Sequence, residues 1–204
     1  MLEAEVLQND QPDRKRVKKF TDVVTSESQR LGRLINNVLN FSRTQQQKLS
    51  AHKLRASADE IIQQTLNNYA ASLATKGIVI KTKLDACTPL MLDAEILEQV
   101  LNNLLSNVEK YAADGGLVYV NSEIKDRCVV ILVRDAGVGV PSALNEKIFE
   151  PFERGSESLT QAVSGTGIGL SIARDLCRLH GGDLTLIDSE QGACFQVTLN
   201  TEDE

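Results

Sequence analysis

Tryptophan is absent from this sequence, and aromatic residues make up only 4% of it. Basic residues are also in the minority, because 22 lysines and arginines stand against 28 aspartates and glutamates, which gives a formal net charge of −6 at pH 7. A surface that binds nucleic acid needs a basic face and aromatic rings on which bases can stack. The composition therefore argues against a nucleic-acid partner.

Long apolar runs are missing as well. The longest uninterrupted one extends from Cys128 to Val133, far short of the roughly 20 residues that a membrane-spanning helix needs. Met1 is followed by Glu3 and Glu5, whereas a signal peptide would begin with a basic region and an apolar stretch. We therefore expect a cytoplasmic segment without membrane contact of its own, although a full-length parent protein could be membrane-anchored.

Cysteine and histidine are too few and too scattered to form a metal cage. The four cysteines lie far apart and include no C-x-x-C pair: Cys87, Cys128, Cys177 and Cys194. This spacing favours free, buried thiols over disulfides or zinc ligands. His52 and His180 have no metal-ligand spacing to any of them. We expect His52 to be a solvated linker residue and His180 a helix-end residue, neither of them catalytic.

The 204 residues are enough for one core of ordinary domain size plus an appendage. Apolar residues recur at steps of three and four between Val17 and Phe41, which predicts one long helix with a narrow apolar seam. Such a seam needs a partner helix, and an intermolecular bundle is favoured over packing on its own domain. The polar residues 44–50 indicate a hinge, so we assign a helical region to 1–48 and a globular domain to 49–204.

Within the globular part, helical and strand patterns are mixed. Helices are predicted over 57–76, over 93–112 and from Gly169 onwards, and strands over 78–84, 117–124, 127–134, 183–187 and 194–199. A tight Lys125-Asp126 connection joins two of the strands, and β-α-β crossovers are few. The predicted fold class is therefore α/β, a two-layer sandwich with a mixed sheet on one side and three helices on the other. Residues 135–166 contain little regular structure beyond a short helix that begins at Pro141, and loops of this length are usually functional lids or disordered.

Three glycines at alternating positions precede the last predicted helix, in the sequence SGTGIGL that contains Gly165, Gly167 and Gly169. Glycine permits positive φ angles and close approach of backbone amides to an anion, and the following helix N-terminus adds further N–H groups. The spacing matches neither a Walker loop nor a G-x-G-x-x-G turn after a strand. By itself the motif fits a flexible loop before a helix equally well.

One face of the helix over 93–112 carries Asn103, Asn107, Lys110 and Tyr111, because residues three and four apart lie on the same side. Amide oxygens together with phosphates suit Mg²⁺, and an ammonium group neutralises phosphate charge. A solvated helix face is the alternative. The apolar residues between the amides place them at the edge of the core, where an unpaired amide costs about 1–3 kcal/mol.

Asp135 ends a predicted strand and is followed by Gly137 and Gly139. At a strand end the carboxylate can accept a hydrogen bond from an exocyclic amine such as that of adenine, and the glycines leave room for the base. As a single D-x-G-x-G motif this signal is weak, because strand exits commonly have such a composition.

The segment IFEPFERG adds Phe149, Phe152 and Arg154 to the long loop. Two exposed phenylalanines would be costly, so we expect them to anchor the loop on the body of the domain or on a partner. Arg154 is then available to reach phosphate.

These four motifs, in this order and at these distances over residues 90–182, resemble the ATP-binding catalytic domain of bacterial sensor histidine kinases. Residues 20–43 are similar to the second helix of that family's dimerisation and phosphotransfer hairpin. The resemblance implies a Bergerat-type ATP-binding fold with ATP and Mg²⁺ as cofactors. It also implies a response regulator receiver domain as partner and a homodimer through the helix around 17–43 in the full-length protein.

The resemblance assigns a role to each motif residue. Asn103, Asn107, Lys110 and Tyr111 would hold Mg²⁺ and the phosphates, with the two asparagines as the metal ligands. Asp135 would bind the adenine amine, while Gly137 and Gly139 would line the base. The triphosphate would be held by Arg154 and by the backbone amides of Gly165, Thr166, Gly167, Ile168, Gly169 and Leu170. Asn103, Lys110 and Arg154 are the predicted catalytic residues of a transfer that depends on positioning and charge neutralisation.

The family's acceptor histidine lies in a box similar to His-Glu/Asp-Leu-Arg-Thr-Pro on the first hairpin helix. Neither His52 nor His180 has that context, and the chain is expected to begin near the end of that helix. We therefore expect transfer of the γ-phosphoryl group to a histidine that this chain does not contain, for relay to a response regulator aspartate. The chain by itself is expected not to autophosphorylate.

Two alternatives remain open at the level of sequence. One is another member of the same superfamily, either an ATPase of the gyrase or chaperone type or an anti-sigma serine kinase. Those proteins usually carry a glutamate base where Asn103 stands and lack the helix over 20–43, and asparagine cannot act as that base. The other is a non-catalytic scaffold that dimerises, which would be favoured if the chain bound no adenine nucleotide.

Overall fold

The computed structural model describes residue 21 and residues 50–112, 115–153 and 167–202. The chain divides into two units, Met1–Leu39 and Asn40–Glu204, and of the first unit the structure describes Thr21, which is helical. The predicted long helix and its dimerisation seam thus lie outside the described residues. The boundary between residues 48 and 49 stays a prediction.

The second unit contains seven described strands and three described α-helices. The strands are β1 (Leu54–Ala56), β2 (Val79–Asp85), β3 (Leu90–Leu92), β4 (Leu117–Lys125), β5 (Cys128–Asp135), β6 (Asp183–Ile187) and β7 (Cys194–Asn200). The helices are α1 (Ala58–Thr75), α2 (Ala94–Tyr111) and α3 (Gly169–Leu179). The main sheet has the order β2-β4-β5-β7-β6, with β2 parallel to β4 and the other neighbours antiparallel. The predicted mixed sheet is confirmed.

Helices α1 and α2 begin at residues that favour these positions. The side chain of Ser57 accepts a hydrogen bond from the Glu60 N–H at the start of α1, and Asp93 accepts one from the Ile96 N–H at the start of α2. Gly77, with φ 72°, follows the end of α1 as predicted. The apolar faces of the helices and one face of the sheet form a common core, as in the predicted sandwich. No helix in the described ranges is long and apolar enough to cross a membrane.

The alternation of buried and half-buried side chains along β5 determines on which face of the sheet its last side chain lies. Val129, Ile131 and Val133 are at most 1% exposed, while the residues between them are half-buried. Because side chains two apart share a face of the sheet, Asp135 continues the buried series and lies on the side of the helices. The strand thereby places a carboxylate at the edge of the core.

Two local features differ from the sequence-based expectation. The turn between β4 and β5 is formed by Asp126 and Arg127, both with positive φ (49° and 63°), one residue later than predicted and with the pattern of a type I′ hairpin turn. The second is an unpredicted two-stranded sheet, in which β1 pairs antiparallel with β3. Three-residue strands are too short to show a period in the sequence.

The four cysteines are free, as predicted. Cys177 and Cys194 are buried, Cys128 is half-buried and Cys87 is exposed, so the expected burial holds for two of the four. Burial raises the pKa of the Cys177 thiol to about 12. The thiol is therefore protonated at neutral pH and packs as an apolar group.

His180 ends α3, as predicted, and its side chain is 0% exposed. Its Nε2 atom accepts a hydrogen bond of 3.0 Å from the Asp93 N–H, and the Asp93 carboxylate in turn accepts from the His52 N–H at 2.7 Å. The neutral imidazole thus connects the end of α3 to the start of α2. Desolvation lowers the pKa of His180, and the nearby Lys53 charge acts in the same direction, against the opposing Asp93 carboxylate.

This connection predicts a specific loss of stability in acid. Because the pKa of His180 is lower in the folded chain than its ordinary 6.5, the unfolded chain binds the proton more readily, and stability falls as the pH drops below about 6.5. The uptake of one proton changes the free energy of unfolding by at most about 1.4 kcal/mol per pH unit. In urea unfolding between pH 7.5 and 5.5, His180→Gln should lose stability less steeply with falling pH than the wild type.

The control is His52→Gln, because the His52 imidazole is exposed and the bond to the Asp93 carboxylate comes from the backbone N–H, which glutamine keeps. Equal slopes in the wild type and His180→Gln would contradict the assignment of the pH dependence to His180.

Candidate functional site

The predicted site residues meet where α2 ends, β5 ends and α3 begins. A Cβ atom placed on Gly169 would lie 3.2 Å from Asn103 Oδ1, so this asparagine packs against the first residue of α3. A Cβ atom on Gly137 would lie 2.8 Å from the Tyr111 carbonyl oxygen and 3.1 Å from Asp135 Oδ1. The helix motif, the strand-end motif and Gly169, the last glycine of the SGTGIGL motif, are therefore neighbours.

The polar face of α2 passes from the core to the surface along the helix. Asn103 is 8% exposed, Asn107 and Lys110 are half-buried, and Tyr111 is 41% exposed. The leucine and valine neighbours at 104, 105 and 108 are at most 3% exposed. The prediction that the amides lie at the edge of the core is thus confirmed, and the amide oxygens are spaced by one helical turn.

Asp135 is 8% exposed and is held by backbone donors. Its Oδ1 atom accepts hydrogen bonds from the Gly137 N–H at 2.8 Å and the Ala193 N–H at 3.2 Å. Within the described part of the chain both bonds to this carboxylate end on Oδ1. Oδ2 is therefore the oxygen that a ligand can use.

The glycines after Asp135 are required by the protein's own packing. The space for a side chain at Gly137 is occupied by the end of α2, and Gly139, with φ 74°, would place a Cβ atom 3.0 Å from the Gly192 carbonyl oxygen. Their role in lining a base stays a prediction. What the structure shows is that any larger residue would move the segment that carries Asp135.

The two phenylalanines of the long loop differ in environment. Phe149 is 7% exposed, packs edge-on against Phe195 with ring centroids 6.4 Å apart, and lies under the Arg174 guanidinium at 4.6 Å. Phe152 is 68% exposed, so its ring does not anchor the loop by burial on the body of the domain, and the alternative that it packs on a partner stays a prediction. Its backbone provides the anchor instead, because its N–H donates to the Gly167 carbonyl oxygen at 2.9 Å.

The start of α3 lies directly after this anchor. Gly167 has φ 72°, and a Cβ atom there would lie 2.9 Å from the Phe152 carbonyl carbon. Ile168 is buried and Leu170 half-buried, and no described side chain caps the helix at Ile168. Among the described residues no side chain occupies the N–H groups of this first turn, which are the groups that an anion would use. Arg154, Gly165 and Thr166 lie outside the described residues.

Sequence reasoning assigned no role in the site to the turn of residues 191–193. A Cβ atom on Gly192 would lie 2.0 Å from the Asp135 carbonyl oxygen, and the Gln191 side chain donates to the Ala136 carbonyl oxygen at 3.2 Å. Gly192 stands between the predicted strands over 183–187 and 194–199 and indicates a turn there, but the sequence does not show what that turn contacts. The missing information was that β7 runs antiparallel to β5, with Arg134 opposite Cys194, which places Ala193, the residue before β7, beside Asp135, the last residue of β5.

Comparison with known proteins gives consistent matches. The family model described as "Histidine kinase-, DNA gyrase B-, and HSP90-like ATPase" matches residues 92–203. The sensor histidine kinase GlrK of Escherichia coli (strain K12) is 34% identical over 184 residues, which cover 89% of this chain and 38% of GlrK.

Solved structures agree. The catalytic domain of histidine kinase ThkA is 27% identical, with a TM-score of 0.65 over 74% of this chain and 96% of that one. ThkA in complex with the response regulator protein TrrA has a TM-score of 0.66 at 22% identity, covering 95% of this chain and 54% of that one.

The family match extends over more than half of the chain and includes α2, β5, α3 and the 191–193 turn. The chain spans 38% of the length of GlrK and thus corresponds to a part of such a protein. From the matched family and the arrangement of these elements, the chain belongs to the histidine kinase-, DNA gyrase B- and HSP90-like ATPase family and contains the ATP-binding catalytic domain of a bacterial sensor histidine kinase.

Proposed function

We propose that this chain binds ATP together with Mg²⁺ and positions the γ-phosphoryl group for transfer to a histidine outside the chain, for relay to a response regulator aspartate. The observation that carries the proposal is a single juxtaposition. The buried Asp135 carboxylate, with one clamped oxygen, lies beside the end of α2, and the start of α3, which no described side chain caps, packs on Asn103 of the same helix. These are the groups that a base, a metal-bound phosphate and an anion require.

At the base end, Asp135 Oδ2 accepts a hydrogen bond from the 6-amino group of adenine. The charged oxygen is a strong acceptor, and its partial burial strengthens the bond relative to the same bond in water. The backbone donors on Oδ1 hold the carboxylate in one orientation. The base is thus selected by a group that is fixed before it binds.

At the phosphate end of the site, the proposed metal ligands are side-chain amides. Among the described residues no group of three or more His, Cys, Asp or Glu side chains is placed to hold a metal ion. The amide oxygens of Asn103 and Asn107 fit Mg²⁺ instead, because this ion keeps several waters and takes phosphate oxygens with few protein ligands. When bound, Mg²⁺ neutralises phosphate charge. Lys110, Arg154 and the amides of residues 165–170 are the proposed further phosphate contacts.

Neither histidine of the chain is suited to accept the phosphoryl group. His180 is 0% exposed and its Nε2 atom is hydrogen-bonded to the Asp93 N–H. His52 is exposed but lies between Ala51 and Lys53, outside any acceptor box. Transfer to a histidine elsewhere follows, and the chain alone does not autophosphorylate.

The proposed protein partner is a response regulator receiver domain. ThkA, whose catalytic domain resembles this chain, has been solved in complex with the response regulator TrrA. Dimerisation through the helix around 17–43 in the full-length protein is part of the same proposal, because its narrow apolar seam needs a partner helix.

Replacement of Asn107 by alanine should weaken Mg-ATP binding by about 100-fold, because an amide ligand of the metal and its electrostatic contact with phosphate are lost. Asn102→Ala is the matched control, since Asn102 is half-buried on the same helix but five residues away, on a different face. Fluorescent-nucleotide titration with and without Mg²⁺ measures both. Equal effects of the two variants would contradict the proposed metal site.

Labelling with γ-³²P-ATP tests the transfer itself. The chain alone should gain no acid-labile phosphate, whereas a separately supplied phosphotransfer domain of GlrK, stripped of its own catalytic domain, should become labelled on histidine. Phosphohistidine on this chain would overturn the assignment of the acceptor to another segment. Failure to bind any adenine nucleotide would overturn the proposed function.

A further inference from the structure

We propose that the 191–193 turn determines the base specificity of the site by fixing which carboxylate oxygen of Asp135 faces the base. This inference rests on the proposed binding of ATP at Asp135. It concerns residues of the turn directly before β7, outside the four sequence motifs.

The backbone of Ala193 makes two hydrogen bonds with Asp135, one with its side chain and one with its main chain. The Ala193 N–H donates to Asp135 Oδ1 at 3.2 Å, and the Ala193 carbonyl oxygen accepts from the Asp135 N–H at 3.0 Å. Ala193 is 7% exposed, so these bonds are shielded from water. The turn therefore holds both the main chain and the side chain of Asp135.

Gly192 makes this contact possible. It has φ 73°, and a Cβ atom there would lie 2.0 Å from the Asp135 carbonyl oxygen and 2.6 Å from Asp135 Oδ1. No side-chain atom fits at such distances. Any residue other than glycine must push the turn and Asp135 apart, which separates the Ala193 N–H from Oδ1.

The two hydrogen bonds that hold Oδ1 of Asp135, from the N–H groups of Gly137 and Ala193, form a clamp with a direct chemical consequence. Two N–H groups, from Gly137 and Ala193, point at Oδ1, so only an acceptor atom is tolerated at that position. With aspartate the outward atom is then Oδ2, an acceptor that matches the 6-amino group of adenine. A 6-oxo purine would place an oxygen against this oxygen and is rejected.

The same clamp dictates what asparagine would do in this place. The amide oxygen must occupy the Oδ1 position, since an NH₂ group there would face two donors. The NH₂ group is thereby forced outward and becomes a donor toward the base. The variant Asp135→Asn should therefore prefer a 6-oxo purine, and without the clamp no such inversion would occur.

The test compares Mg-ATP with Mg-ITP, since inosine carries the 6-oxo group without the 2-amino group of guanine. Dissociation constants are measured for the whole chain by calorimetry. The wild type should prefer ATP, and Asp135→Asn should prefer ITP, with the ratio of the two affinities shifted by about 100-fold or more. If Asp135→Asn weakened the binding of ATP and ITP to the same extent, the inference would be overturned.

A second variant examines the turn itself. Gly192→Ala should reduce the preference for ATP over ITP to near unity, and in combination with Asp135→Asn it should remove the inversion. Gly77→Ala is the matched control, because Gly77 has φ 72° with no atom within 4 Å of the added Cβ. It carries the same backbone strain and should keep the wild-type preference.

The outcomes separate the inference from the function on which it rests. If the wild type binds no ATP, the proposed function fails. If the wild type binds ATP and Gly192→Ala, folded by circular dichroism, keeps its full preference, the inference fails. Should Gly192→Ala not fold, the Asp135→Asn comparison decides by itself, because that variant leaves every glycine in place.

Discussion

Gly167→Val should abolish Mg-ATP binding, a loss of at least about 100-fold, while the circular dichroism spectrum stays that of the wild type. Gly167 has φ 72°, and a Cβ atom would lie within 3.0 Å of the Phe152 and Glu153 backbones. A β-branched side chain is strained at this φ and cannot fit without breaking the Phe152 N–H bond to the Gly167 carbonyl. The displacement reaches Gly169, which packs on Asn103, and thus the proposed anion-binding start of α3.

Gly77→Val is the control for this substitution. Gly77 has the same φ of 72° but an open surrounding, so valine there brings strain without collision. Nucleotide titration of both variants separates a general cost of positive φ from a local effect on the site. Wild-type affinity in Gly167→Val would contradict the assignment of this glycine to the nucleotide site.

Gly182→Ala should destabilise the whole domain. A Cβ atom at this position would lie 1.8 Å from the Thr198 carbonyl oxygen and 2.5 Å from its carbonyl carbon, so the turn between α3 and β6 would have to separate from β7. Overpacking of this kind costs about 3 kcal/mol, which corresponds to a fall in Tm of roughly 10 °C for a domain of this size. Differential scanning calorimetry measures it.

Gly116→Ala is the appropriate comparison. The nearest atom to its added Cβ is the Gly77 carbonyl oxygen at 3.5 Å, an ordinary contact, so its effect is limited to the strain of φ 62°. A Tm for Gly182→Ala within a degree or two of the Gly116→Ala value would show that the α3–β6 turn is more loosely packed than its backbone distances indicate.

Local patterns predicted most of the elements of this domain. Helix α1 begins after Ser57 and ends before Gly77, and α2 begins after Asp93, because capping side chains and positive-φ glycines act within a few residues of sequence. The polar face of α2 was predicted for the same reason, since a period of 3.6 residues fixes which side chains share a face. These effects need no knowledge of the fold.

Other expectations depended on neighbours that are distant in sequence. The phenylalanines of the long loop were expected to anchor it on the body of the domain or on a partner. Phe149 packs on the body, against Phe195 and Arg174, while Phe152 is 68% exposed. The two rings are three residues apart in similar sequence surroundings. Their difference comes from what β7 and α3 place beside them.

The sequence by itself determined the helices, the strands of the main sheet, the amide face of α2 and the position of Asp135 at a strand end. Only the tertiary structure decided that Asp135 is clamped through Oδ1 by the 191–193 turn and that Asn103 packs on Gly169. The physical reason is that capping, periodicity and turn preferences act over a few residues, whereas the order of strands in the sheet brings together residues more than fifty positions apart.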